Sequence, residues 1–309
     1  MLVLQSLIDG LSLGALYALI AVGYTVVYGI IQLINFAHGE IFMVGAFGAV
    51  SVWLLVPGEV TSFWMLPVML VGGMVAAVGV ALLMERVAYR PLRNAPRLAP
   101  LITAIGVSIF LQEFVRLFYN RIPGFPDAKK NVGFPRIEIV TGAPIPLGPV
   151  QIGRASLFTL IALLICTVAL YFFINRTRIG QAMQATSQDP DTARLMGINV
   201  DRIIMIAFAV GAALAAVAGV AQGLKDTNIN FRMGFIAGLK AFSAAVLGGI
   251  GNIWGALVGG LVIGVFESLA TAVMPSGSAW KDVWAFVVLI LILVFRPQGL
   301  LGSRVVDRA

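Results

Sequence analysis

GLSLGALYALIAVGYTVVYGIIQLINFAHG, residues 10–39, runs for thirty residues without an aspartate, glutamate, lysine or arginine. At 1.5 Å rise per residue, about 20 apolar residues cross the ~30 Å hydrocarbon core of a bilayer. The stretch therefore reads as a membrane segment. Residues 41–58, 60–84, 98–112, 155–174, 203–224, 241–266 and 283–295 are equally free of those four residue types. Of 309 residues, 60% are hydrophobic and 11% charged. An ordinary globular chain carries about 25% charged residues. The mean hydropathy is +0.97. A soluble fold has no means of covering so much apolar surface, and disorder is excluded by the same composition.

The formal net charge is +7. In a membrane chain this places basic loops at anionic head groups and gives no reason to invoke nucleic acid. A single cysteine, Cys166, excludes an intrachain disulfide. A single histidine, His38, beside that one cysteine excludes a His/Cys zinc site. No basic residue precedes the first apolar run, and Asp9 is the first charge. The expectation is that this run is not a cleaved signal peptide and stays in the membrane.

The fold class expected is an all-α polytopic membrane protein, a single transmembrane unit over 1–309. Nine crossings are read, at about 7–31, 36–56, 64–84, 98–118, 155–174, 203–223, 235–250, 254–273 and 282–296, with eight to ten as the range. The first is glycine-rich and long enough to be a broken or re-entrant pair instead. Gly248-Gly249-Ile250-Gly251-Asn252 reads as a break between two helices. Three polar connections separate the spans. Residues 85–97 (ERVAYRPLRNAPR) carry four arginines. Residues 120–154 hold six of the fourteen prolines, and RIEIVTGAPIPL (136–147) alternates well enough for a small hairpin. The third runs from Asn175 to Arg202. Parity puts the first, the third and the C-terminus on one side. Lysine and arginine then divide eleven to ten between the two sides, so the positive-inside rule leaves orientation open.

No catalytic constellation survives inspection. Gly10-Leu11-Ser12-Leu13-Gly14 matches the nucleophile-elbow string, but that motif needs a strand before it and a helix after it. Here two small residues easing helix packing is the better reading. No lysine follows a glycine, so a Walker A loop is absent. The pairs Gly219/Gly223, Gly255/Gly259 and Gly260/Gly264 are small-xxx-small patterns of close helix contact. Ionisable groups inside apolar runs are costly and tend to be functional. Glu40, Glu113, Glu267 and His38 qualify. Glu113 with Arg116 reads as a structural pair. Glu267 faces the bundle, either lining a pathway or joining helices. His38 and Glu40 are merely interfacial if the break at INFAHGE (34–40) lies at a span end. Residues 181–196 read as a short amphipathic helix interrupted at Asp189-Pro190, with Gly197 as its cap. Leu195 and Met196 place apolar bulk among polar neighbours. That suits a docking helix, with an inert interfacial helix as the other reading.

At these residues the chain resembles the membrane permease subunits of branched-chain amino acid ABC importers, of the LivH type. The matching stretches are residues 10–47, RPLRNAPRLAPLITAIGVSIFLQ (90–112), RIGQAMQATSQDPDTARLMGINVDR (178–202), AVLGGIGNIWGALVGGLVIGVFES (245–268) and RPQGLLG (296–302). The resemblance extends over nearly the whole chain. INFAHGE together with the GIN-containing loop is specific. The resemblance implies ABC importer permease architecture and import of leucine, isoleucine or valine. It also implies a second permease subunit (a paralogue or a copy), two cytoplasmic ATPases that bind ATP and magnesium, and a periplasmic binding protein. No cofactor is expected on this chain, and no enzyme activity. Residues 176–202 then form a cytoplasmic coupling loop, with Gln184, Ala185, Asp189, Asp191, Arg194, Leu195, Met196 and Gly197 as the ATPase-docking residues. The family's loop signature begins Glu-Ala-Ala, whereas this chain has Gln184-Ala185-Thr186. Residues 120–154 become a periplasmic loop, the C-terminus is cytoplasmic, and the location is the bacterial inner membrane. Asn35, His38, Glu40, Asn252 and Glu267 are the candidates for polar pathway lining. A urea or short-chain amide importer permease shares these motifs and stands as the alternative. A stand-alone channel or secondary carrier is the remote one, since no inverted repeat is evident.

Overall fold

A computed structural model describes residues 2–56, 62–93, 95–96, 98–148, 150–273, 280–296 and 298–302. Arg97, most of the 274–281 connection and the basic end of the C-terminus (Arg304, Arg308) lie outside the described residues. The first apolar run forms one continuous helix, α1 (Leu2–Ile31), and is not a broken pair. Its thirty residues rise about 45 Å, more than a bilayer core. It is followed by α2 (His38–Leu55), α3 (Met65–Met84), α4 (Leu98–Phe118), the single turn α5 (Glu138–Thr141), α6 (Arg154–Arg176), α7 (Arg178–Gln188) and α8 (Pro190–Leu195). The series continues with α9 (Val200–Asp226), α10 (Met233–Gly248), α11 (Ile253–Val273) and α12 (Lys281–Phe295). Among the described residues seven helices are long and apolar enough to cross a membrane. The other two expected spans correspond to α10, of 16 residues, and α12, of 15.

Helices α1, α2 and α9 are buried along most of their length, while α3, α4 and α6 are largely exposed at the periphery. Glycine sets the central contacts. On α1, Gly10 and Gly14 face α11 so closely that an added Cβ would lie 2.7 Å from the Cα of Val265 and of Leu261. On α11, a Cβ at Gly260 would lie 2.5 Å from the Cα of Ala18. The two glycine patterns read separately in the sequence are thus the two halves of one interface. The elbow reading falls away with it. Ser12 is helical and accepts a hydrogen bond from Lys225 (3.3 Å), whereas His38 packs against Gly23, about 16 Å farther along α1. The remaining α11 pair, Gly255 and Gly259, turns to α10, where Gly259 packs against Ala244 and Gly248.

Contacts between connections establish two faces. On the arginine face, residues 85–93 meet the start of α9. The turn between α10 and α11 meets the C-terminal segment there, through Leu300 N to Leu247 O (2.8 Å) and Leu301 N to Gly248 O (2.9 Å). Gly249 and Gly251 hold φ of +103° and +97° in that turn, a backbone that glycine adopts without strain. On the opposite loop face, β1 (Val132–Gly133) pairs with β4 (Asn228–Ile229), and Gln5 at the start of α1 bonds the backbone of Gln151. The expected parity therefore holds. The hairpin lies later than the alternation suggested. Residues 138–141 make a helical turn, and the hairpin is β2 (Ile145–Leu147) with β3 (Val150–Ile152). Gly148, at φ +61°, supplies the tight turn.

The arginine-rich connection is more than a basic loop. Glu85 is fully buried and ion-paired with Arg93. Arg93 also pairs with Asp201 at the start of α9, and Arg90 reaches the same carboxylate at 2.6 Å. This chain of charges ties the end of α3 to the helix that follows the third connection.

Two outcomes follow for stability. Gly260→Val should overpack the α1–α11 contact and cost about 1–3 kcal/mol, read as a lower unfolding temperature of the detergent-solubilised protein. Gly79→Ala, where an added Cβ meets nothing within 4 Å, should leave it unchanged or higher. Arg93→Met should strand a buried Glu85 and cost about 3–5 kcal/mol. Glu85→Gln in the same chain should recover much of that loss, and an unchanged melting curve for Arg93→Met would refute the assigned pairing.

Candidate functional site

The third connection folds as a helix–break–helix. Thr177 caps α7 by accepting from Gly180 N (3.0 Å). Asp189 ends α7 and caps α8, accepting from Asp191 N (2.9 Å), Thr192 N (3.1 Å) and the Thr192 hydroxyl (2.5 Å). Pro190 follows at the first helical position, where its missing N–H costs nothing. The Thr192 hydroxyl and the backbone N–H groups hold the Asp189 carboxyl below the usual carboxylate range. A depressed pKa means that the cap is fully present at neutral pH and is lost only as the pH falls through that lowered value. Gly197 closes the unit at φ +85°, with Ile198 N bonding back to Ala193 O at 3.0 Å. The expected break at Asp189-Pro190 and the expected cap at Gly197 are both in place, and Asp189 adds an N-cap that the sequence reading did not name.

The docking candidates divide into two groups. Gln184 is exposed but donates back to Asn175 Oδ1 at 3.3 Å, with Ala185 half-buried beside it. Asp189, Asp191, Arg194, Leu195, Met196 and Gly197 are exposed. Arg194 pairs with Asp191 at 2.7 Å. Leu195 and Met196 are 87% and 78% exposed. They form an apolar knob on a rigid, doubly capped turn at the arginine face.

The five pathway candidates do not share one site. Asn35, His38 and Glu40 sit together at the start of α2. The break between α1 and α2 folds back into the bundle, so His38 lies against Gly23 and near Gly211, deep within α1 and α9. The interfacial reading of His38 and Glu40 is therefore overturned. Asn35 accepts from Tyr89 (2.7 Å), His38 packs edge-on to Tyr24 (ring centroids 4.6 Å apart), and Glu40 accepts from Ser108 (3.0 Å) and Gln112 (2.9 Å). Among the described residues, His38 Nε2 and Glu40 Oε2 are buried without a hydrogen-bond partner. Asn252 instead caps α11, accepting from Trp254 N (3.0 Å) and Gly255 N (3.2 Å) and donating to Leu301 O (2.9 Å). It shares with Gln184 the wall of a cavity of about 500 Å³ at the arginine face.

Glu267 occupies a different cavity, of about 740 Å³, in the half of the bundle toward the loop face. Its Oε1 lies 2.7 Å from Lys240 Nζ, and its Oε2 accepts from the Tyr17 hydroxyl at 3.0 Å. Lys240 also donates to Tyr17 Oη (3.2 Å) and lies 2.6 Å from Asp282 Oδ1. Four helices, α1, α10, α11 and α12, meet at this lysine. Sequence reading passed over Lys240, although a lone cation in the middle of an apolar helix was the available signal. Glu113 and Arg116 do pair, at 2.7 Å, but half-exposed near the end of α4.

The chain was compared with known proteins. Residues 6–293 match the family model described as branched-chain amino acid transport system / permease component. The high-affinity branched-chain amino acid transport system permease protein LivH of Salmonella typhimurium is 43% identical, covering 99% of this chain and 97% of the relative. The corresponding protein BraD of Pseudomonas aeruginosa is 44% identical with the same coverage. Among solved structures, a metal-chelate type ABC transporter in an inward-facing conformation covers 95% of this chain and 87% of its own, at 15% identity and a TM-score of 0.51, a likeness of fold alone. From the family match and the near full-length identity together, this chain belongs to the permease component family of branched-chain amino acid transport systems.

Proposed function

We propose that this multi-pass permease subunit carries leucine, isoleucine or valine across the bacterial inner membrane as part of an ABC importer. Its partners would be a second permease subunit, two cytoplasmic ATPases and a periplasmic binding protein. The observation that carries the reading is 43–44% identity, over 99% of the chain, to two permeases named for branched-chain amino acids. ATP and magnesium belong to the ATPases, and this chain supplies the path and the docking contact.

In this reading residues 176–202 form the coupling loop, on the cytoplasmic side with the C-terminus, and residues 120–154 face the periplasm. Leu195 and Met196 seat in an ATPase groove, and the Asp189 and Gly197 caps keep α8 stiff enough to transmit force. Closure of the ATPase dimer then moves α7 and α8. The Arg90–Arg93–Asp201 pairing passes that motion to α9 and the end of α3. The glycine breaks near 35–39 and 248–252 are where the two transport states exchange contacts, since a driven change needs contacts that differ between states. Asn35, His38 and Glu40 face this rearrangement at the start of α2.

Proteoliposomes holding the complete complex should accumulate leucine only with ATP inside and binding protein outside. Uptake without ATP would replace the reading by a channel or secondary carrier. Leu195→Glu with Met196→Glu, Arg194→Glu, or Gly197→Pro should each abolish uptake and ATPase co-purification while the chain still inserts. Survival of both would refute docking. A cysteine replacing Lys130 should react with an impermeant thiol reagent outside intact spheroplasts, and one replacing Gln188 should not. The reverse pattern would invert the orientation.

A further inference from the structure

We propose that the cavity around Lys240 binds a zwitterionic α-amino acid with an aliphatic side chain, by exchange with the Lys240–Glu267–Asp282 ion cluster. The proposal rests on the importer reading above and deepens it by naming where the substrate is held within this subunit.

Three observations carry it. First, the cluster is a pair of opposite charges buried in a bundle, with Lys240 and Glu267 side chains only 3% and 4% exposed. A lone α-carboxylate placed here would satisfy Lys240 and leave Glu267 in excess. A lone amine would pair with the carboxylates but bring nothing to replace Asp282 on Lys240. A ligand that brings both charges replaces both partners at once and leaves no buried charge uncompensated. Second, the members of the cluster differ in freedom. The Asp282 side chain is 44% exposed, and it comes from the first turn of α12, a helix end. Glu267 is held by Tyr17 as well as by Lys240. The ligand carboxylate therefore takes the place of Asp282 on Lys240, and the ligand ammonium lies between Asp282 and Glu267. Third, the cavity has the shape of the problem. Its walls at Leu13, Leu16, Phe42, Met233, Ile236 and Ala237 are apolar and suit a branched side chain. Among the described residues its lining holds three lysines and four carboxylates, a nearly balanced field that favours neither a net anion nor a net cation. At about 740 Å³, it falls in the roughly 300–1,000 Å³ range of small-molecule sites.

The geometry also separates this site from Asn35, His38 and Glu40. Phe42 lines the cavity and sits one helical turn beyond His38 on α2. Gly39 packs on Gly238 of α10, two residues before Lys240. A movement at the α2 start therefore reaches the cavity through α10, without those polar groups touching the ligand.

The chain's single cysteine makes a direct test practical. Cys166 lies in a groove lined by residues of α3, α6 and α9, away from the cavity. In a Cys166→Ser chain, Ile236→Cys places a thiol on the cavity wall. The full complex in nanodiscs is treated with a small thiol reagent, and labelling of this chain is followed by mass. Leucine should slow the labelling. 4-Methylpentanoate, which lacks the ammonium, isoamylamine, which lacks the carboxylate, and urea should not. In Lys240→Gln/Glu267→Gln, which removes both charges together, the half-protecting leucine concentration should rise roughly tenfold or more, as expected for lost charge-assisted hydrogen bonds. Should that double variant fail to co-purify with its partners, Asp282→Asn at the exposed edge of the cluster gives the same readout, with an expected rise of several-fold. Absence of leucine protection, equal protection by the singly charged analogues, or protection unchanged by these substitutions would overturn the site. Leucine uptake by the unsubstituted complex is measured in parallel. If it is absent, the importer reading itself fails. If it is present without protection at Ile236→Cys, only the site assignment fails.

Discussion

Close backbone approach between α1 and α11 is the contact on which the rest of the structure depends. Lipid is as apolar as leucine, so helices gain nothing by hiding apolar surface from it and associate instead by van der Waals packing. That packing needs small residues. Gly10, Gly14 and Ala18 on one helix and Gly260 and Gly264 on the other provide them. The spacing also aligns Tyr17 with Glu267, one facing the other across the contact. A wider interface would separate that pair and leave a carboxylate unsatisfied in the bundle. The same α11 turns Gly255 and Gly259 to α10 and so brings Lys240 to the carboxylate from the other side. Helix packing thus assembles the charged cluster, whose charges in turn hold α1, α10, α11 and α12 in register.

The charged groups fall into two tiers, and the tiers suggest a division of labour. At the arginine face, Glu85, Arg93, Asp201 and Arg90 bind the end of α3 to the start of α9. The helix–break–helix of the third connection lies immediately before α9, so the exposed Leu195-Met196 knob is joined to a braced helix end. Toward the loop face, Lys240 and Glu267 close a cavity that borders on α9 and α10. Helix α9 runs between the two tiers. It passes Gly23 and His38 at Gly211 and the α2 backbone at Gly219. A rigid helix with braced ends, crossing small residues, suits transmission by tilting more than by bending.

Much of this was legible in the residues. Charge-free apolar runs mark membrane helices because unpaired charge in hydrocarbon is costly, and all nine expected segments are helical. Asp189-Pro190 announced the break before α8 and Gly197 its C-cap, because both are local matters of one or two residues and a backbone angle. The break at 248–252 was read for the same reason. The hairpin after residue 136 was misplaced, since alternation in so short a stretch also fits the helical turn at 138–141 and the true turn depends on Gly148. The break after α1 was located, but its depth was not. Sequence says that the helix stops near Gln32. It does not say that the chain then folds back to lay His38 against Gly23.

The sequence by itself determined that this chain crosses a bilayer many times, how its connections divide between two faces, and where the third connection breaks and is capped. Those properties follow from solvent transfer and from bonds spanning a few residues. The tertiary structure alone decided which charges meet. Lys240 and Glu267 are separated by 27 residues and by a helix turn, Tyr17 lies 250 residues from Glu267, and Arg93 lies 108 from Asp201. No local rule links such positions. They meet because glycine faces on α1, α10 and α11 allow three helices to approach until buried polar groups have no partners but one another.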